Sequence, residues 1–149
     1  MTIYEMLQRY AQGERTFAES DLRGARLDGV VLTGINLRGA DLRGATLSHA
    51  DLWGADLAGA FLDDASLRGA DLRRARLTGA SLQSADLSET LLVDADLRGA
   101  ALRGANMHQA NLYCALLSPA QRAEAAEAGA RLYDPVLSWA RYALSASAR

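Results

Sequence analysis

The chain of 149 residues contains one cysteine, two prolines and 6% aromatic residues. It contains no lysine: all 16 basic residues are arginine. One cysteine excludes an internal disulfide framework. No apolar run approaches the roughly 18 residues that would cross a membrane, and no secretory leader is visible. A soluble, cytoplasmic protein with no membrane partner is the expectation. The 16 basic residues stand against 18 acidic ones, a net charge of −2. A strong nucleic-acid binder carries a basic excess, which is missing here, so direct nucleic-acid binding is not expected.

What the chain does contain is leucine on every fifth position. The series opens with Leu22, Leu27, Leu32, Leu37 and Leu42 and closes with Leu112 and Leu117, with Met107 as its one exception. Between residues 20 and 119 this makes 20 consecutive five-residue units. The residue two before each leucine is alanine except at Ser20, Val30, Ile35 and Thr90, and the residue two after it is most often glycine. On an α-helix, leucines spaced by five would smear around the whole circumference. On a strand they would alternate faces. Collagen requires glycine at every third position. The remaining geometry turns the chain once per unit, so that leucine and alanine point to a common axis. The residues flanking leucine then face water, and glycine occupies a turn position that needs a positive φ, as in a type II turn.

The pattern A-(D/N)-L-x-G over Ser20 to Pro119 resembles the pentapeptide-repeat family. That resemblance implies an all-β solenoid, a right-handed four-sided (quadrilateral) β-helix with four units per coil and about five coils. Reading every twentieth residue agrees at one column, Gly39, Gly59, Gly79 and Gly99.

Three regions are expected. Residues 1–15 form an N-terminal capping helix, 16–119 the β-helix and 120–149 a C-terminal helical cap. Thr2 and Glu5 make a capping box, Gly13 is a stop, and Ile3, Met6, Leu7 and Tyr10 share one face. Ser118 and Pro119 start a helix that runs to about Ala128. Asp134-Pro135 repeats the start signal for a second helix, to about Ala146. Its apolar residues, including Leu137, Trp139 and Leu144, either cap the last coil or also form a homodimer contact. The resemblance adds weight to the dimer, because related proteins with topoisomerase activity dimerise through their C-terminal ends.

No catalytic set is apparent. His49 and His108 lack metal-ligand spacing, Cys114 has no local base, and no phosphate or nucleophile motif occurs. No cofactor or metal is expected, and the chain reads as a non-enzyme. The aspartates beside the leucines read as solvated side chains offset by arginine, with Asp41 and Arg43 stacking on Asp21 and Arg23 if a coil has 20 residues.

One side departs from the polar rule. Grouping by 20 puts Leu32, Leu52, Leu72, Leu92 and Leu112 together, flanked by Val31, Trp53, Leu91, Val93 and Tyr113. Other sides carry few such residues: Phe61 and Ala101 on one, Ala18, Ala58 and Leu116 on another. An apolar surface marks an interaction site, or a terminal helix folds back over part of it. Trp53 and Tyr113 are the expected anchors. The function read from this is an interaction scaffold for an unknown protein partner. The resemblance also implies an alternative, a DNA-mimicking modulator of the type II topoisomerase gyrase. Leucine in place of phenylalanine, aspartates offset by arginines and the absence of loops count against it.

Overall fold

The computed structural model describes residues 1–132, and the expected second C-terminal helix with Leu137, Trp139 and Leu144 lies outside the described residues. From Phe17 to Leu112 every fifth residue is buried, none more than 3% exposed. The alanines two before them are buried as well. Phe17 fills a central position ahead of the leucine series, so the inward ladder begins one unit earlier than leucine alone indicates.

Each unit turns in the same way. The N–H of Ala25 donates to the carbonyl of Leu22 at 3.0 Å, and the corner residue between them, Gly24, has φ +63°. From position 19 to position 114 every fifth residue holds φ between 57° and 73°. The preceding turn residue is never among the positive-φ positions, which makes these type II turns. Nine corners are not glycine: Glu19, His49, Asp64, Arg74, Ser84, Glu89, Asp94, Gln109 and Cys114. None is β-branched, in keeping with the steric cost of that region.

Successive coils are joined in parallel register at a spacing of 20. Asp21 pairs with Asp41, Arg26 with Thr46, Val31 with Asp51 and Asn36 with Asp56, so a coil has four sides. One column runs in five such steps, Thr16, Asn36, Asp56, Arg76, Asp96 and Leu116. Each pairing is made by two backbone bonds, as in Leu22 N–H to Asp41 C=O (2.8 Å) and Asp41 N–H to Ser20 C=O (2.9 Å). Thr90 stands in an alanine place, fully buried, and its hydroxyl donates to the carbonyls of Leu87 (2.7 Å) and Leu67 (3.1 Å). A buried hydroxyl is tolerated because it is satisfied.

A helix packs on the core near each end of the described coils. Helix α1 (Ile3–Ala11) starts at the Thr2–Glu5 capping box, buries Met6 and packs Ile3, Leu7 and Tyr10 on the core. The Tyr10 hydroxyl donates to the Thr33 carbonyl at 2.8 Å. Helix α2 (Pro119–Glu127) starts at Ser118, which forms a second capping box with Gln121. Gln121 is buried and its amide donates to the carbonyls of Leu97 (2.6 Å) and Ala100 (2.9 Å). Ala125 is fully buried beneath the helix.

The repeat then resumes. Arg131 pairs in parallel with Asn111, and its N–H donates to the Ala110 carbonyl at 2.7 Å. Ala130 and Leu132 thus continue the alanine and leucine phase, although the sequence reading ends the repeat at Pro119. Helix α2 substitutes for part of a coil without shifting the register.

Three substitutions separate the terms. Gly79→Ala places a Cβ in open space at φ +66°, so the cost is conformational alone, about 1–2 kcal/mol. Asp64→Gly relieves φ +59° and should raise stability by about 0.5–1 kcal/mol. Leu62→Ala, at a fully buried position, should cost about 3 kcal/mol. Urea unfolding midpoints check all three.

Candidate interaction surface

The residue before each leucine has a backbone task. The Oδ1 atoms of Asp21, Asn36, Asp41, Asp51 and Asp71 each accept the N–H two residues on, at 3.0–3.3 Å. Asp56, Asp86, Asp96, Asn106 and Asn111 do the same further along. These are Asx turns leading into each corner, and they explain the choice of Asp or Asn at this place. The aspartates are therefore not simply solvated. Where Thr46 or Ser81 stands there instead, the carboxylate comes from the coil before. Asp28 accepts the N–H of Ser48 (3.0 Å) and the hydroxyl of Thr46 (2.6 Å). Asp63 does the same for Gln83 (3.0 Å) and Ser81 (2.5 Å).

Arginine adds a second layer. Arg23, Arg43, Arg73 and Arg98 each grip the aspartate two residues back, at 2.6–2.7 Å. Arg23 also reaches Asp41 in the next coil at 3.8 Å, as a 20-residue coil requires. Asp56 is shared by Arg38 (3.3 Å) and Arg76 (3.2 Å). The side-chain hydrogen bond from Arg23 holds the Asp21 carboxyl at about 2. Asp41, Asp71 and Asp96 are lowered in the same way by Arg43, Arg73 and Arg98.

Val31, Trp53, Leu91, Val93 and Tyr113 do lie on one side of the solenoid, but they form two patches. The upper one holds Val31 (62% exposed) and Trp53 (40% exposed). The lower one holds Leu91 (37% exposed), with Val93 and Tyr113 half-buried. The Asp71–Arg73 ion pair occupies the coil between them. Val31 and Leu91 take the place where Asp or Asn accepts a backbone N–H. Their apolar side chains have no acceptor to offer Thr33 or Val93.

Two arginines missed in the sequence complete the patches. Arg74 lies over the Trp53 ring at 5.8 Å, and Arg131 over Tyr113 at 5.6 Å. Arg74 is itself a corner residue at φ +59°, and no ion pair holds it among the described residues. An arginine where glycine is the rule was the available signal. Phe61, 48% exposed on another side, has Arg43 at 6.0 Å. His49, His108 and Cys114 are exposed, Cys114 at a corner. Among the described residues no group of His, Cys, Asp and Glu could hold a metal ion. No helix of the described residues is long and apolar enough to cross a membrane.

The fold is a parallel β-solenoid with five-residue sides, one central leucine per side and a helix at each end. The pentapeptide-repeat family model matches residues 16–54, 45–83 and 80–118. The chain belongs to the pentapeptide-repeat family, whose solved members form right-handed quadrilateral β-helices. A pentapeptide repeat protein from the thylakoid lumen of Arabidopsis thaliana is 33% identical, over 72% of this chain and 78% of that one, with a TM-score of 0.55. HetL, involved in heterocyst differentiation regulation in the cyanobacterium Nostoc sp. strain PCC 7120, is 39% identical over 77% of this chain and 53% of its own, with a TM-score of 0.40. QnrB1, a plasmid-mediated fluoroquinolone resistance protein, is 19% identical over 87% of this chain and 65% of its own, with a TM-score of 0.41. Among curated proteins none matches the sequence.

The two tasks of the aspartates are separable. Asp71→Asn removes the ion pair but keeps an oxygen for the Arg73 N–H, whereas Asp71→Ala loses both. The alanine variant should be less stable than the asparagine variant by about 1 kcal/mol at neutral pH. The acid response follows from the lowered carboxyls. The contribution of Asp21 is complete above the unfolded carboxylate value of about 4 and is lost as pH falls toward about 2, and those of Asp41, Asp71 and Asp96 are likewise lost as pH falls below about 4. The urea midpoint should drop between pH 4 and pH 2, and Asp71→Asn should lessen the drop.

Proposed function

We propose that this protein is a non-enzymatic interaction scaffold, with the β-helix as a rigid rod and a protein partner docking on the Trp53 side. The partner surface in this reading comprises Val31, Trp53, Leu91, Val93 and Tyr113, with Trp53 as the chief anchor. The observation that carries it is the exchange of Asp or Asn for Val31 and Leu91. The fold uses a carboxylate or amide there to bind the backbone; Phe61 and Leu116 also depart from this on other sides, but only on this side do further large apolar residues, Trp53, Val93 and Tyr113, flank the leucines. Tryptophan and arginine dominate interface energetics, and Arg74 holds the Trp53 ring in a defined place. A cytoplasmic setting, with no cofactor and no direct contact to nucleic acid or membrane, belongs to the same proposal.

The gyrase-modulator reading has less support. A rod that imitates DNA presents unpaired negative charge, whereas Asp21, Asp41, Asp71 and Asp96 are each gripped by an arginine. In a supercoiling assay, micromolar protein should neither inhibit gyrase nor protect it from a quinolone.

Affinity capture from the native lysate with wild type, Trp53→Asp and Phe61→Asp tests the scaffold. The same partner should be held by wild type and by Phe61→Asp and lost with Trp53→Asp. Retention of that partner by Trp53→Asp would overturn the assignment of the side.

A further inference from the structure

Among the described residues the arginines that lie over aromatic rings are of two kinds. Over the phenylalanines the arginine is already paired: Arg9 above Phe17 is held by Glu14, and Arg43 above Phe61 by Asp41. Arg15 over Tyr10 (3.9 Å) and Arg74 over Trp53 (5.8 Å) hold no carboxylate among the described residues.

These two unpaired stacks stand along one edge of the rod. The Tyr10 hydroxyl donates to the Thr33 carbonyl, and Thr33 occupies the place of Trp53 one coil earlier. The Arg15 carbonyl accepts the Asn36 N–H at 2.7 Å, which puts Arg15 beside the corner column of Gly34, Gly54 and Arg74. Trp53 therefore lies between an arginine toward the first coil and an arginine toward the last. Stacking occupies the face of a guanidinium and leaves the N–H groups in its plane open. Arg15 commits Nη1 to the carbonyls of Tyr10 (2.8 Å) and Glu14 (2.9 Å), and its Nε and Nη2 stay available. Asp94 follows Arg74 in the same corner column, yet Arg74 turns to Trp53 and makes no ion pair with it. Elsewhere on the rod arginines grip the nearest aspartate.

We propose that this edge docks an extended protein segment in which two carboxylates flank an apolar side chain. The apolar side chain lies on Trp53 and Val31, and the carboxylates reach Arg15 and Arg74. This deepens the scaffold reading above and rests on it for the choice of side.

Charge and register support this occupant. Arg15 and Arg74 offer in-plane donors that suit carboxylate oxygens, and such charge-assisted bonds are stronger than neutral ones. The two arginines are three coil steps apart, about 14 Å. An extended chain rises about 3.4 Å per residue and turns alternate side chains to one face, so its residues i, i+2 and i+4 cover about 14 Å. Carboxylate, apolar residue and carboxylate at those places follow the order Arg15, Trp53, Arg74. A continuous polyanion suits the edge less well. Asp51, Asp56 and Asp94 stand along it, and the whole chain carries a net charge of −2. A run of phosphates meets those carboxylates, whereas two isolated carboxylates pass between them.

The probe is the peptide Gly-Glu-Ser-Leu-Ser-Glu-Gly, read by the indole N–H resonance of Trp53, which Trp53→Phe identifies. That resonance should shift saturably with peptide at millimolar concentration. The peptide with glutamine in place of both glutamates should bind about fivefold more weakly or less. Raising sodium chloride from about 0.05 to 0.3 M should weaken the glutamate peptide. Arg74→Gly gives the corner its ordinary residue and keeps the fold; it should weaken the glutamate peptide about fivefold and leave the glutamine peptide unchanged. Arg23→Gln, on another side, should change neither. No shift, equal binding of the two peptides, or wild-type binding by Arg74→Gly overturns the proposal. An oligothymidylate that shifts Trp53 at lower concentration than the glutamate peptide overturns it in favour of single-stranded nucleic acid. An indole shift that grows with protein concentration alone, with doubled mass in light scattering, overturns it in favour of a second copy. Failure of the peptide leaves capture through Trp53 standing, whereas capture insensitive to Trp53→Asp overturns the scaffold reading itself.

Discussion

The structure depends on one backbone constraint: after every leucine the chain turns through a left-handed residue. With φ near +60° at each corner, successive leucines converge on one axis instead of fanning outward. Each turn is closed by the bond from the alanine N–H to the leucine carbonyl. Four turns bring the chain back beside itself, where the backbone bonds between coils form. No side is long enough to be a strand of any consequence alone. The parallel pairings hold because many identical short ones are stacked, each contacting only the coil above and below. The same constraint makes the ends a liability, since a last coil exposes its core and its unpaired edge. Helix α1 answers this by burying Met6 over the core and α2 by burying Ala125 and Gln121, whose amide supplies donors to the carbonyls of Leu97 and Ala100.

The corner also governs the surface. An N–H just before the corner points outward, and a short acceptor side chain placed two residues earlier binds it. Much of the aspartate and asparagine in this chain is explained by that requirement. The carboxylates so recruited are a charge problem along a narrow rod, and arginines two residues on neutralise them in place. What results is a surface whose polar residues are largely committed to backbone and to each other. Residues that break the scheme then stand out. Val31 and Leu91 give up the acceptor, Trp53 spreads an aromatic ring beside an aspartate, and Arg74 accepts a left-handed backbone to lie over that ring. Functional constraint is most visible where the local rules of the fold are broken.

Much of the architecture was legible because its signals are local. Thr2 with Glu5, and Ser118 with Pro119, mark helix starts within four residues. The five-residue period assigns inside and outside without knowledge of any distant neighbour. Phe17 escaped because an aromatic ring occupies a leucine place, although its size suits an end where α1 adds room. Ala130 and Leu132 escaped because helix α2 interrupts the pattern, even though both keep the phase of the repeat. The division of the apolar side into two patches needed the Asp71–Arg73 coil to be placed between them. The Trp53–Arg74 contact joins residues 21 apart, which is meaningful only once a coil is known to contain 20.

The sequence by itself determined the period, the inward and outward positions, the corner chemistry and the helix starts, because each is settled by residues a few bonds apart. Only the tertiary structure decided which residues stand beside one another across coils. That depends on the angle accumulated over four corners, and a small change in that angle would pair every outward side chain with a different neighbour. The leucines are indifferent to it, since all of them face the same axis. Val31, Trp53, Arg74, Leu91 and Tyr113 are not, and their meaning as patches was decided by the closure of the coil.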